Sequence, residues 1–423
     1  MARHAFLLFA LGAASLAAPV AGQRRDDARD RDRVVRNDGR ELFGRVEAPF
    51  AADEVLLLQG GKRVRLARGE VATMDLVGTR VREFCERRQR LAASPKAQSY
   101  LMDWAAAHEL PGLARLQALW LVLADDDQTA AHELLGHRRA AKGWTWPLEG
   151  RQLTREQFED ALAKQPLELT GERFTTTCTG NLRATVAALL DLEQLGVVWF
   201  ARFGEPLQLR EVLTPIRIEL HRNRDEFPKW GFRPLPYYVP PPHGDVARTF
   251  YAGANPDRAE RLFFVATEAL LYRTLIGEAD RQNDRDRVCA WLEIGLGMVM
   301  ENTMQGEPGA AAPAPPRAAD LQALQALSRE ARLGSLLHLA MYSGFYLMDD
   351  TPTAANWATA TMLVAYLLDE DEKPSQREPF FAYVRQVLVG RKGDSSSAFD
   401  QAFGRRAEAL EEPFRVWLAK QAQ

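Results

Sequence analysis

The sequence predicts an α+β multidomain protein: a small N-terminal β module, a helical spacer, and a large C-terminal α+β domain that ends in a helical tail. Three observations carry this expectation. Short alternating runs around Asp38-Gly39 and Gly60-Gly61 fill residues 34–78, and such dipeptides between period-two runs mark hairpins. Apolar residues then recur at three- and four-residue spacing through 79–141, the period of helices. From Leu167 onward, strand-like runs flank a long helical stretch, and two strongly apolar segments follow at Leu262–Ile276 and Val288–Met300.

At 423 residues the chain has room for about three domains. Its 46% apolar and 26% charged content suits a globular protein with a sizeable core. The net charge of −3 gives no electrostatic footprint for nucleic acid or an acidic membrane surface. Cys85, Cys178 and Cys289 stand far apart without CxxC or Cys/His spacing, so no structural metal is expected. Three buried free thiols are expected ahead of one disulfide and a leftover thiol.

Taken in order, the chain opens with Arg3 and His4 before an apolar run, Ala5–Ala21, with Val20 and Gly22 suited to a cleavage site. Residues 1–22 therefore read as a secretory signal peptide. The run is short and broken by Gly12, Ser15 and Pro19, which argues against a membrane anchor. A secreted, periplasmic or cell-envelope location follows, with no membrane span once the signal is removed. Residues 23–33 alternate charge signs with few apolar residues and are expected to be a disordered spacer.

Residues 34–78 hold four or five short strands, enough for a small barrel or sheet that resembles SH3-like or Sm-like modules. Either a docking module or a structural cap fits. In 79–141, Leu101, Trp104, Ala105 and His108 share one helix face, as do Leu113, Leu116, Ala118 and Leu119, with a break at Leu110-Pro111-Gly112. The pattern resembles a degenerate TPR-like hairpin. His132-Glu133-Leu134-Leu135-Gly136-His137 superficially suggests a zinc motif. Five residues along a helix turn the two imidazoles about 140° apart, and Gly136 reads as the C-terminal stop of that helix, so a structural role is expected. Residues 142–166 read as a linker carrying one short helix, capped by Thr154 with Gln157 three residues on.

Residues 167–227 follow a β-α-β order: strands at Leu167–Thr170 and Phe174–Cys178, a helix from Asn181 to Phe203 stopped by Gly204, and a strand from Pro215 to Leu220. Pro228–Tyr251 is rich in proline and aromatics and forms either an edge strand lining a cleft or a rigid covering loop. The first apolar segment after it is hydrophobic nearly all round, as a fully buried helix is, yet it carries Glu268. An ionised carboxylate is costly there unless paired, and an arginine or tyrosine partner is expected. Gly295 and Gly297 in the second segment imply close backbone approach, since glycine otherwise weakens a helix. Gly306–Arg317 reads as a flexible insertion. Apolar helical blocks follow around Leu336–Leu347, Trp357–Asp369, Phe380–Leu388 and Ala398–Ala419.

The two apolar segments are similar to the core of gluzincin metallopeptidases, in particular the peptidase-MA-like family. Members read HExxH on one buried helix and W-x-x-E-G-[LF]-A on the next. This chain reads Thr267-Glu268-Ala269-Leu270-Leu271 and Trp291-Leu292-Glu293-Ile294-Gly295-Leu296-Gly297. Glu268 keeps the general-base position, and Trp291, Glu293 and Gly295 belong to the retained frame. Thr267 and Leu271 replace the zinc-binding histidines, and Ile294 replaces the third ligand, a glutamate. The resemblance covers roughly 167–423 and implies a zincin-like α+β domain with a helical tail closing a cleft.

Catalytic zinc needs three nitrogen, oxygen or sulfur ligands, and without the metal a glutamate base has no activated water to deprotonate. The expectation is a non-catalytic pseudopeptidase without zinc or another cofactor. Its partner would be protein or extended peptide in the vestigial cleft, or it would act as an envelope scaffold. The alternative is an active metal-dependent hydrolase with a site rebuilt from Glu268, Glu293 and His243.

Overall fold

The computed structural model describes residues 31–51, 53–91, 94–141, 143–228, 236–241, 243–252, 255–275, 290–306, 353–371, 375–388, 395–405 and 407–421, with 322, 324 and 326 besides. Residues 1–22, expected to be a signal peptide, nearly all of the expected charged spacer, Trp230, Phe232, the connector 277–287, Cys289, the insertion beyond Gly306 and the block 336–347 lie outside the described residues. What is described is an α+β protein, with an N-terminal antiparallel sheet and helices followed by further sheets and helices.

Five strands make the N-terminal module: β1 (Asp32–Arg36), β2 (Glu41–Val46), β3 (Glu54–Gln59), β4 (Lys62–Ala67) and β5 (Val71–Asp75). They pair antiparallel in the order β4-β3-β2-β1-β5. The turn glycines do what the dipeptides predict: Gly39, Gly60 and Gly61 all have positive φ, which only glycine adopts cheaply. Val34, Val46, Val55, Leu57 and Leu66 form a small core of their own. Asp32 ties the module to the next element, accepting from Val46 N (2.7 Å) and Val77 N (2.6 Å).

Helices α1 (Val77–Arg90), α2 (Pro95–Ala107), α3 (Pro111–Ala124) and α4 (Thr129–Leu134) follow. Pro111 occupies the first turn of α3, where its missing N–H costs nothing. The stretch read as a linker folds further than expected. It completes a three-stranded antiparallel meander of β6 (Arg138–Ala140), β7 (Gly143–Leu148) and β8 (Arg151–Leu153) before α5 (Arg155–Leu162). Its turn signal is Glu149-Gly150, both at positive φ. The Thr154–Gln157 capping box is present in full.

The C-terminal region is built on β9 (Leu167–Thr170), β10 (Phe174–Cys178), α6 (Leu182–Leu207), β11 (Ile216–His221), β12 (Tyr237–Val239), β13 (Val246–Ala252) and β14 (Asn255–Ala259). The sheet order is β12-β13-β11-β10-β9, with β14 paired to β13. The central strands β10, β11 and β13 run parallel, while β9 and β12 are antiparallel at the edges. Pro228–Tyr251 therefore does contribute an edge strand.

Asn181 caps α6, accepting from Ala184 N. The helix does not stop at Gly204 but runs to Leu207, and Gln208 makes the left-handed exit at φ 51°. Gly204 serves close approach instead of termination: a Cβ there would sit 2.6 Å from the Phe50 ring. The 26-residue α6 is long and apolar enough to cross a bilayer, but 72% of its most apolar window is buried within the fold, as a core helix would be.

Among the described residues six helices follow: α7 (Leu262–Leu275), α8 (Ala290–Gln305), α9 (Thr353–Leu368), α10 (Arg377–Leu388), α11 (Ser395–Phe403) and α12 (Glu411–Lys420). One continuous core runs from Val77 to Leu418, so the spacer helices share their packing with the C-terminal region. Cys85 and Cys178 are buried and free, as expected. Burial pushes the Cys85 thiol up to about 12, which leaves it unreactive.

Candidate functional site

Helices α7 and α8 pack antiparallel, and three contacts set their register. The Phe264 N–H donates to Glu301 Oε2 at 2.9 Å. Gly297 lies against the Phe264 ring, where a Cβ would come within 2.6 Å. Glu268 and Glu293 are close enough for the charge of one to raise the pKa of the other. Stepping along both helices from these contacts puts Thr267 level with Ile294, and Leu271 one turn further along α7.

The three positions that the gluzincin resemblance would give to zinc ligands are all closed. Thr267, Leu271 and Ile294 are each 1% exposed or less. The Thr267 hydroxyl donates to its own helix at Phe263 O (2.7 Å), so its hydrogen is already committed. Leucine and isoleucine have no donor atom to offer. This set does not fit zinc, which requires three lone-pair ligands. The residues of the resembled frame pack the core: Trp291 stacks on Tyr383 (5.9 Å between centroids), and Gly295 meets α9.

Glu268 is where the chemistry is unusual. Burial, and then the neighbouring Glu293, push its carboxyl well above the ordinary range, while the Tyr238 backbone N–H of β12 pulls the other way. Among the described residues its hydrogen-bond partner is thus main chain, not the expected arginine or tyrosine side chain. Arg273, on the same helix, pairs instead with Asp245 (2.5 Å), which also accepts from the Tyr238 hydroxyl (2.5 Å). The arrangement favours the protonated form of Glu268, a carboxyl set beside a second carboxyl at the edge strand of the sheet.

Glu268→Gln is expected to stabilise the protein increasingly as pH rises. In the unfolded chain Glu268 loses its proton near the ordinary glutamate value; in the folded chain it holds it to higher pH. Wild-type stability therefore falls with pH above about 4.5, by at most about 1.4 kcal/mol per unit. Glutamine carries no such penalty, so the gap between the urea midpoints of variant and parent should widen from pH 5 to pH 8. A gap that stays constant would refute the assignment.

His243, the histidine of the rebuilt-site alternative, is exposed on the turn after β12, its N–H bonded to Pro240 O (3.0 Å). Among the described residues no three His, Cys, Asp or Glu side chains are grouped to hold an ion.

The helical-wheel expectation for His132 and His137 needs correcting. The rings do not diverge; their Nδ1 atoms lie 2.7 Å apart. Helix α4 ends at Leu134, and Gly136 at φ 74° turns the chain back, so the 100° step no longer applies. The role remains one of packing at this point: His132 is fully buried and stacks on Trp144 (4.2 Å).

One network escaped the sequence altogether. Glu193 on α6 is fully buried, and its Oε1 accepts from the N–H groups of Glu172 (2.7 Å), Arg173 (2.8 Å) and Phe174 (3.2 Å). Arg173 in turn pairs with Glu211 (3.1 Å) and lies over Phe200 (4.8 Å). The available signal was the one that singled out Glu268, an acid within an apolar helix.

No protein-family model matches the chain, and no curated protein matches it.

Proposed function

We propose that the chain is an exported, non-catalytic relative of the peptidase-MA-like gluzincins, which binds protein or extended peptide along β12 or acts as an envelope scaffold. The observation that carries this reading is the closure of the three ligand positions, with Thr267 bonded to its own helix and Leu271 and Ile294 packed in the core. The retained acid, Glu268, lies against an antiparallel edge strand, and such edges recruit peptides by adding a strand. The strand order β4-β3-β2-β1-β5 favours an SH3-like N-terminal module, and the α2–α3 hairpin favours a TPR-like one after it.

The deciding experiment uses the purified full chain, with metal content, casein hydrolysis and binding of reduced, unfolded casein measured together. The expected outcome is substoichiometric zinc, no hydrolysis and saturable binding; a chain that binds no casein would overturn the peptide-binding reading. One zinc per chain, with hydrolysis lost in Glu268→Gln, would establish instead the hydrolase with a rebuilt site.

A further inference from the structure

A second site lies away from Glu268. A cavity of about 620 Å³ opens between α3, β7, α5 and β9, within the range of about 300–1,000 Å³ typical of small-molecule sites. Its walls are mainly apolar and include Leu116, Leu119, Trp146 and Phe158. Its polar lining includes Arg31, Arg45, Glu168 and Glu172, and two further groups, His137 and Arg115, that carry the argument. His137 is 8% exposed and packs on Trp146 (4.2 Å). Arg115 is exposed on α3 and makes no ion pair among the described residues, whereas Arg31 is held by Glu172 (2.7 Å) and Arg45 by Asp32 (3.5 Å).

The hydrogen-bond chain behind His137 fixes what it offers. His132 Nε2 lies 3.1 Å from the Asp126 carbonyl. A carbonyl only accepts, so that nitrogen carries the proton of neutral His132. His132 Nδ1 is then the acceptor, and the 2.7 Å bond between the two rings is donated by His137 Nδ1. His137 Nε2 is left as a lone pair with no protein partner among the described residues, on a ring that lines the cavity. It asks for a ligand that donates a hydrogen bond.

We propose that this cavity binds a small aromatic hydroxy acid: its hydroxyl donates to His137 Nε2, its ring fills the apolar walls, and its carboxylate meets Arg115. Glu168, exposed at the same rim, opposes anions, so the carboxylate adds to affinity only when the ring and hydroxyl are also seated. This site is independent of the peptidase resemblance and stands or falls separately.

Calorimetry on the full chain with 6-hydroxy-2-naphthoate as probe tests it, with 6-methoxy-2-naphthoate and 2-naphthol for comparison. Saturable one-to-one binding is expected, about tenfold weaker for the methyl ether, the effect of one lost hydrogen bond to a buried acceptor. His137→Phe should abolish that difference. Arg115→Gln, at an exposed position, should weaken the acid and leave 2-naphthol unchanged. Absence of saturable binding, equal affinity for hydroxyl and methoxy probes in the wild-type chain, or an acid indifferent to Arg115→Gln would overturn the proposal. The wild-type comparison decides the hydrogen bond even if His137→Phe does not fold.

Discussion

Gly295→Ala should destabilise the protein by about 1–3 kcal/mol, although alanine is the better helix former by about 1 kcal/mol. The reason is the α8–α9 contact. A Cβ at position 295 would overlap the Val364 side chain and sit 2.6 Å from the Ala360 carbonyl oxygen. A side chain can rotate away, but a carbonyl inside a helix moves only if the helix moves. Helix α8 would have to lift off α9 and carry Trp291 from Tyr383. Gly295→Val should cost more, since two further methyl groups meet the same wall. Urea denaturation of both variants gives the values. If Gly295→Ala matched or exceeded the wild type, α8 and α9 could not be packed as closely as described.

This contact also shows how far the sequence could be read. Two glycines among large residues at 295 and 297 announced close approach, because nothing else explains their cost within a helix. The sequence did not say what approaches. Gly295 meets Ala360 and Val364 of α9, far along the chain, and Gly297 meets the Phe264 ring of α7. Local signals worked where the cause was local, as at Gly39, Gly60, Gly61 and the Thr154–Gln157 capping box.

The failures share a cause in the opposite sense. Gly204 carried a stop signal, but its lack of a side chain is used by Phe50 from the N-terminal module. The two histidines were placed on a helix that ends between them. The meander at 138–153 has strands of three, six and three residues, too short to show a period. At the candidate site, the lack of strong zinc donors at 267, 271 and 294 could be read directly, because ligand chemistry is a property of residue type. The partner of Glu268 was not, because it is a backbone N–H, which every residue but proline supplies.

Glu193→Ala should be the most damaging of the substitutions considered. One carboxylate oxygen gathers the N–H groups of three successive residues in the turn between β9 and β10. Alanine would leave all three buried and unsatisfied, at about 1–3 kcal/mol each, against a total stability of about 5–15 kcal/mol for a typical domain. The turn is built around that oxygen: Gly171 has room for no Cβ because Glu193 Oε1 stands in its place, and Gly112 packs against the Gly171 carbonyl. Arg173 would lose the anchor of its backbone while its guanidinium stays bound to Glu211. Glu193→Gln keeps an acceptor at Oε1 and, like the carboxyl that burial pushes up to about 7, need not hold a full charge. Its cost should be near 1 kcal/mol, the amide N–H₂ entering the buried space where Oε2 has no hydrogen-bond partner. Circular dichroism and urea titration at pH 7 separate the two variants. A Glu193→Ala protein within 1 kcal/mol of wild type would mean that the β9–β10 turn finds other acceptors, and that the acid is dispensable to the sheet on which β11, β13 and β12 are laid.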